Sequence, residues 1–172
     1  LSYSHRPTGG HSNWNVEYVD CTNRPLWPFG HGLSYTSFEL SELSLSPAEI
    51  PPDGRTTARV RVTNSGDRAG DEVVQLYVRD TEASLTRPII ELRGFARVGL
   101  MPGESRTVSF ELAAEQLAFV DVPGHWIVEP GTFRIMVGTS SDDLPLESRL
   151  VVTGEPRVIK HRERYLTHVT VR

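Results

Sequence analysis

The chain has 172 residues, 38% of them hydrophobic, which suits one globular domain with arms or at most two small domains. Its formal net charge of -4 comes from 22 acidic and 18 basic residues without long single-sign runs, which argues against nucleic acid or an anionic membrane as partners. Cys21 is the single cysteine, which excludes an internal disulfide and a thiolate cluster for zinc or iron and sulfur.

Membrane and export signals are not visible in the sequence. No apolar segment approaches the roughly 20 residues of a membrane span, and no basic region followed by an apolar run opens the chain. The chain begins with Leu1 inside polar sequence, as we expect of a processed product or a piece of a longer polypeptide. The cellular compartment is therefore left open, with cytoplasmic and secreted locations both compatible.

Residues 1–24 open the chain as a polar segment with no sustained period of 2 or 3.6. The alternation from Trp14 to Tyr18 is its one hint of extended structure, and glycine and proline interrupt the rest. We expect most of this segment to be an irregular arm.

The stretch Pro25–Phe38, called the connector below, separates the arm from the strands. Its two prolines fix φ and remove amide donors, and its two glycines permit positive φ. It carries more large apolar side chains than a solvated loop needs, namely Leu26, Trp27, Phe29, Leu33 and Tyr35. Two interpretations stay open: the aromatic side chains cover one end of a β-domain, or the loop presents His31 or its neighbouring backbone to a ligand.

Short strands follow the connector. Phe38 and Leu40 share one face and Leu43 and Leu45 the other, which predicts a bulge near Ser41 and Glu42. Alternating patterns predict strands over 56–64, 72–79 and 132–138, around Phe110, and over a final segment, Leu150–Val152.

Two local irregularities are predicted within this series. The apolar phase between Ile90 and Val98 slips by one residue at Gly94, which is typical of a β-bulge. Residues 113–116 are compatible with one helical turn. Seven or eight short strands with frequent turns predict an all-β, two-sheet antiparallel sandwich of immunoglobulin or fibronectin type III architecture, with an irregular N-terminal arm and a C-terminal extension.

No catalytic constellation emerges from the residue pattern. Asp142 and Asp143 are adjacent, and consecutive side chains point apart in a strand, so a solvated loop is favoured over acid/base chemistry. The other acidic candidates lie mostly at strand ends or outward positions, with no spacing that pairs them: Glu72, Asp80, Glu91, Glu111 and Glu129. The six histidines show no metal-ligand spacing, and no cofactor is predicted: His5, His11, His31, His125, His161 and His168.

Aromatic side chains are the remaining candidates for function, because a pyranose face packs well on an aromatic ring. In a small β-domain, however, such residues more often belong to the core or to an interface. The candidates are Trp14, Trp27, Tyr77, Phe119 and Trp126.

The connector, as spelled, resembles the Pro-x-Phe-Gly-x-Gly-Leu-Ser-Tyr-Thr-x-Phe signature of family 3 glycoside hydrolases, the β-glucosidase and β-xylosidase type. Residues 62–78 resemble the Asn-x-Gly and Gly-x-Glu-Val-x-Gln-Leu-Tyr hallmark of the fibronectin type III-like domain that closes many of these enzymes. Further matches follow in the same order at Arg87-Pro88, at 91–95, at 100–105 and at 129–138. The resemblance covers about residues 25–153.

The resemblance implies an upstream barrel and an upstream α/β sandwich, which carry the family's nucleophile aspartate and acid/base glutamate. No residue of this chain inherits a catalytic role, so the resemblance implies an inactive fragment of a retaining exo-β-glycosidase. It also implies that the connector docks on the upstream catalytic domains, with Trp27, Phe29, His31 and Tyr35 as interdomain or pocket-rim contacts.

Three segments and three functions follow as expectations. Residues 1–36 are a linker arm and connector, residues 37–153 the sandwich, and residues 154–172 an extension that packs on a neighbouring surface. The leading hypothesis is a structural module, which predicts exposed apolar patches on the arm and the connector. The alternatives are a carbohydrate-binding module for oligo- or polysaccharide and an enzyme in its own right.

Overall fold

The computed structural model describes residues 25–172. The predicted arm over residues 1–24, its predicted apolar patch and Cys21 lie outside the described residues. The elements of residues 25–172 are twelve strands and one 3-10 turn: β1 (Phe38–Ser46), β2 (Glu49–Ile50), β3 (Arg55–Asn64), β4 (Gly70–Asp80), β5 (Glu91–Leu100), β6 (Ser105–Ala113), the turn (Ala114–Leu117), β7 (Phe119–Val120), β8 (Trp126–Val128), β9 (Gly131–Gly138), β10 (Leu146–Val152), β11 (Arg157–Ile159) and β12 (His168–Val171).

Two sheets make the sandwich that the sequence predicts. The first has the order β1-β3-β6-β12, and the second has the order β2-β10-β9-β4-β5. All pairs in them are antiparallel except the two-residue parallel pairing of β2 with β10. A small third sheet, β11-β8-β7, lies beside them. The all-β sandwich prediction is confirmed.

The core lies between the two large sheets and comes from the alternation of each strand. Ala58, Val60 and Val62 of β3 are each no more than 1% exposed, while the arginines between them face water. Phe110 of β6 is fully buried, and replacement of such a residue by alanine typically costs about 3–5 kcal/mol. β4, β5, β9 and β10 contribute the facing apolar side chains. Period-2 patterning therefore determines which residues form the core.

Both predicted bulges are confirmed. The register of β1 against β3 shifts between Ser41 and Ser44, and Glu42 takes a positive φ of 57° there. The register of β5 against β4 shifts where Leu76 pairs with Gly94 and Tyr77 with Leu92, which leaves Arg93 as the extra residue. An extra residue in one strand reverses the faces of those that follow, which is why the apolar phase slips at both places.

The predicted helical turn is present as the 3-10 turn, but the prediction that Leu150–Val152 is the last strand is wrong. β11 and β12 follow it, and β12 pairs with β6 from His168↔Glu111 to Val171↔Val108. A strand of four residues at a sheet edge is stabilised by backbone hydrogen bonds, which leave little trace in the side-chain pattern. The predicted segment limits, 1–36, 37–153 and 154–172, stay a prediction. Within the last segment, β12 joins the first sheet.

No helix among residues 25–172 is long and apolar enough to cross a membrane.

Candidate interdomain surface

The connector runs along one end of the sandwich and has no strand of its own before Phe38 begins β1. Two sets of hydrogen bonds hold the connector on the sandwich, one at the backbone of Gly30 and one at the side chain of Thr36. The first set depends on Gln75 of β4 and the second on Asn64 at the end of β3.

Gln75 holds the first part of the connector. Its side-chain nitrogen donates to the carbonyl of Gly30 at 3.0 Å and also to the carbonyl of Thr139, and its side-chain oxygen accepts the Tyr77 hydroxyl at 2.7 Å. Ser141 N-H also donates to the carbonyl of Phe29 at 2.9 Å. Gln75 is 3% exposed and Tyr77 2%, so this polar network is covered, and burial raises the pKa of Tyr77 to about 12.

Asn64 holds the end of the connector and is itself fully buried. Its side-chain nitrogen donates to the carbonyls of Arg68 and Leu100 at 2.7 and 3.0 Å. Its side-chain oxygen accepts the Thr36 hydroxyl at 2.8 Å and the Gly66 N-H at 3.1 Å. A Cβ on Gly66 would lie 2.2 Å from Thr36 Oγ1, so the glycine of the Asn-x-Gly motif allows the connector to approach this turn.

The large apolar side chains of this anchored segment face solvent. Their exposed fractions are 83% for Leu26, 62% for Trp27, 66% for Phe29, 88% for Leu33 and 94% for Tyr35. The exposed apolar patch expected on the connector is therefore present. Because the backbone is fixed while the side chains are free, the connector presents a preformed apolar surface.

The four predicted contact residues do not form one closed site. Trp27 and His31 stack on each other, with ring centroids 4.8 Å apart and an angle of 26° between planes, and His31 N-H donates to the carbonyl of Pro28 at 3.0 Å. Phe29 contributes its carbonyl to the Ser141 bond and exposes its ring, and Tyr35 is almost wholly exposed. The docking role of these residues stays a prediction.

The acidic candidates for catalysis are dispersed, and three of them have separate partners. Glu91 accepts hydrogen bonds from two arginines, Glu111 pairs with Arg55 at 2.8 Å, and Glu129 accepts from Ser84 at 2.6 Å. Asp142 is exposed in its loop.

Asp143 lies close enough to Glu72 for its charge to act on the pKa of the Glu72 carboxyl. Burial, and to a smaller extent Asp143, raises the pKa of the Glu72 carboxyl, while its hydrogen bond from Val73 N-H opposes the rise. Asp143 accepts the Thr139 hydroxyl at 2.6 Å. Both carboxylates are thus engaged by neighbouring residues of their own loop or strand.

Metal ligation finds no support in the part of the chain that the structure describes, because no three His, Cys, Asp or Glu side chains there form a group that could hold an ion. A shallow groove of about 480 Å³ lies near β4 and β5. Its lining includes the ion pair of Arg106 with Glu104 at 3.0 Å, and Asp71, which pairs at 2.6 Å with Arg97 outside the lining. No aromatic residue lines this groove, so it offers no platform for a sugar ring.

The sequence pattern identifies the connector but not the residues that bind it to the sandwich. Gln75 belongs to a face of β4 that the sequence marks as apolar enough to be covered, and an amide in such a face signals a fixed backbone partner. That partner, Gly30, lies 45 residues away in sequence, so only the folded chain reveals the contact.

Comparison with known proteins agrees with this geometry. Residues 72–141 match the fibronectin type III-like domain. The chain is 43% identical over 145 residues to a periplasmic β-glucosidase of Salmonella typhimurium, covering 81% of this chain and 19% of that protein. It is 46% identical over 154 residues to a β-xylosidase of Formosa agariphila, covering 88% and 21%.

Solved structures give the same result. A β-glucosidase of Listeria innocua in complex with glucose superposes with a TM-score of 0.79 at 38% identity, covering 90% of this chain and 22% of that one. The β-glucosidase EmGH1 of Erythrobacter marinus gives a TM-score of 0.78 at 46% identity, covering 88% and 19%. The chain thus spans about a fifth of the length of these relatives. With the ordered motifs and the sandwich, these matches show that the chain belongs to the fibronectin type III-like domains of family 3 glycoside hydrolases.

Proposed function

We propose that this chain is a non-catalytic structural module of a larger family 3 glycoside hydrolase. The connector docks on upstream catalytic domains of the same polypeptide and stabilises their arrangement. The whole enzyme hydrolyses terminal β-glucosides or β-xylosides with retention. The similarity to proteins named β-glucosidase and β-xylosidase supports this, as does the small share of their length that the chain spans.

The anchored, exposed apolar connector carries the proposal. Five large apolar side chains are 62–94% exposed on a segment whose backbone carbonyls accept hydrogen bonds from Gln75, Ser141 and Ser65. A concentration of exposed large apolar side chains on one segment is typical of an interaction site, and a rigid segment loses little conformational entropy on docking. A protein surface of the same polypeptide fits these properties.

The test uses the longer polypeptide that contains this chain. Leu33→Ser combined with Tyr35→Ser should lower the melting temperature of that polypeptide, because apolar surface is lost from the interface. The same pair should leave the melting temperature of the 172-residue chain almost unchanged, since both side chains are exposed there. Val122→Ser, at an 83% exposed position outside the connector, is the matched control. Equal melting temperatures for the wild-type and doubly substituted long polypeptide would contradict the proposal.

A pocket-rim role for Trp27 or His31 is a separate part of the proposal. The two stacked rings form the one pair of stacked aromatic side chains within residues 25–172. A contact of these rings with the rim of the substrate pocket would affect substrate binding. Trp27→Ala and His31→Ala in the long polypeptide should then raise KM with little change in kcat. Unchanged KM in both variants would limit the connector to protein contacts.

Carbohydrate binding is the second candidate function, and the exposed rings of Trp27, Phe29 and Tyr35 favour it. Affinity electrophoresis of the chain in gels containing soluble glucan or xylan tests it directly. Retardation that Trp27→Ala abolishes would support binding at the connector. Unretarded migration in both polysaccharides would rule the candidate out and leave the structural role.

A further inference from the structure

Phe95 of β5 is a large apolar side chain that faces solvent outside the connector. It is 51% exposed, although Val98 and Leu100 of the same strand are only 1% and 3% exposed. Among residues 38–152, from the start of β1 to the end of β10, it is the one aromatic side chain that is exposed. A single exposed apolar side chain is common on protein surfaces, so the position of Phe95 relative to the connector decides its meaning.

The bulge of β5 directs Phe95 away from the core. The preceding residue, Gly94, pairs with the fully buried Leu76, and a Cβ on Gly94 would lie 2.8 Å from the ring of Phe110, so position 94 faces the core. Successive residues of a strand point to opposite faces. Phe95 therefore lies on the outer face of the second sheet, the face turned away from the first sheet. Bulges commonly redirect a side chain in this way, and Arg93 is the extra residue here.

Phe95 lies beside the residue that holds the connector. It pairs directly with Gln75 of β4. Directly opposite residues of antiparallel strands have their side chains on one face, with Cβ atoms about 4.5–5.5 Å apart. The Gln75 amide in turn donates to the carbonyl of Gly30 at 3.0 Å. Phe95 and the first part of the connector are therefore both next to Gln75 on the outer face of the second sheet.

Other aromatic rings near the surface are covered by arginine. Arg87 lies over Phe119 at 4.5 Å, and Arg162 lies over Tyr165 at 4.7 Å. Within residues 25–172 no cation lies over the ring of Phe95 in this way. The aromatic face of Phe95 is thus available to an apolar surface of a partner.

Charged residues border Phe95 on the same face. Arg97, two positions further along β5, pairs with Asp71 at 2.6 Å, and its side chain is 74% exposed. An apolar centre with a polar, solvent-accessible rim is the usual arrangement of a protein–protein interface. The outer face of β5 has this arrangement on a small scale.

The upstream polypeptide is the partner that the chain itself brings to this place. It is joined at Pro25, a few residues before Gly30, which Gln75 fixes beside Phe95. A covalently joined domain has a high effective concentration at a neighbouring surface, which favours it over a separate protein. Upstream domains that dock on the connector would therefore lie within reach of Phe95.

We propose that Phe95 is a second anchor of the interdomain surface, contributed by β5 rather than by the connector. The upstream catalytic domains then present an apolar patch that contacts the connector and Phe95 together. A few large side chains that become buried at the centre of an interface carry most of its binding energy. This role of Phe95 rests on the function proposed above, because it adds a contact with the same partner.

Cysteine labelling tests whether Phe95 is covered in the longer polypeptide. Phe95→Cys and Leu33→Cys are each combined with Cys21→Ser, and the rate of alkylation at each position is followed by peptide mass spectrometry. Both positions should react freely in the 172-residue chain, where the native side chains are 51% and 88% exposed. In the long polypeptide both should react at least about tenfold more slowly. Val120→Cys, at a 45% exposed strand position outside this surface, should react at similar rates in the two proteins.

The two labelled positions distinguish the role of Phe95 from the docking of the connector. Protection of Leu33→Cys together with free reaction of Phe95→Cys would overturn the anchor role and leave connector docking intact. Free reaction at both positions would contradict both. If Phe95→Cys does not fold, hydroxyl-radical footprinting of the wild-type proteins decides, because oxidation of the Phe95 ring should be lower in the long polypeptide than in the 172-residue chain. Equal oxidation in the two proteins refutes the proposal.

Discussion

The side-chain amide of Gln75 donates to the backbone carbonyl of Gly30 across 3.0 Å, and this contact fixes the connector to β4, an inner strand of the second sheet. Gly30 has a φ of +80°, a conformation that glycine adopts without steric cost. The contact thus depends on both residues, because a side chain at position 30 would be strained and would also displace the amide.

Gly30→Ala should destabilise the chain by about 2–3 kcal/mol. The new Cβ would lie 2.1 Å from Gln75 Oε1 and would take up an unfavourable positive φ. Gly32→Ala is the matched control, since its Cβ would meet no atom within 4 Å, and we expect a change within about 0.5 kcal/mol. Urea unfolding followed by circular dichroism measures both, and equal stabilities would contradict the role of the contact.

Asn64→Asp should destabilise the chain by at least about 2 kcal/mol, because the carbonyls of Arg68 and Leu100 lose their donor and a charge is buried near them. Aspartate keeps the oxygen that accepts the Thr36 hydroxyl, so proteolysis within the connector should rise no more than the lower global stability requires. Thr63→Ala, at the adjacent exposed position bonded to Ser105, should change stability by less than about 1 kcal/mol. Limited proteolysis and urea unfolding of the pair distinguish these outcomes.

Tyr77→Phe should cost about 1–2 kcal/mol at pH 7, since Gln75 Oε1 loses its hydrogen-bond donor. The pKa of Tyr77 is raised by burial to about 12, from about 10 in an unfolded chain. The protonated hydroxyl therefore contributes its full stability below pH 10, and this contribution is lost as the pH rises through about 12.

Unfolding of wild type and Tyr77→Phe at pH 7, 9, 10 and 11 checks the sign. The stability difference between the two proteins should be constant up to pH 9 and shrink above pH 10. Tyr35→Phe, at a 94% exposed position, should match wild type at pH 7. A Tyr77→Phe difference that grows with pH would show the opposite linkage.

Glu72→Gln should stabilise the chain at pH 7, because burial raises the pKa of this carboxyl and disfavours its ionised form in the folded state. A raised folded-state pKa means that stability falls as the pH rises from the unfolded-state pKa through the folded-state value. Glutamine keeps the oxygen that accepts Val73 N-H and carries no charge. We expect a higher melting temperature than wild type at pH 7 and little gain near pH 4, where most of the wild-type carboxyl is protonated in both states.

Glu39→Gln, at an exposed position of β1, is the control for this pH series. Its melting temperature should follow wild type at both pH values. A gain at pH 4 as large as that at pH 7 would indicate a packing effect of glutamine rather than relief of charge.

Much of the fold could be predicted from local sequence. The alternation of Ala58, Val60 and Val62 predicts β3 and its buried face, and the phase changes near Ser41 and Gly94 predict both bulges. These features depend on residues that are neighbours along one strand, so the period of the pattern carries the information. The strand in the C-terminal tail is harder to predict from sequence, because β12 is short and its partner β6 lies about 60 residues earlier.

The sequence by itself determined the strands, the core faces and the family, including the connector with its prolines, glycines and aromatic side chains. Only the tertiary structure decided that Gln75 and Asn64 hold the connector, that its apolar side chains are exposed, and that Phe95 lies opposite Gln75 on the outer face of the second sheet. The physical reason is sequence separation. A periodic pattern records which side of a strand is buried, whereas a hydrogen bond between residues 28 or 45 positions apart depends on which ends of the sheets the folded chain brings together.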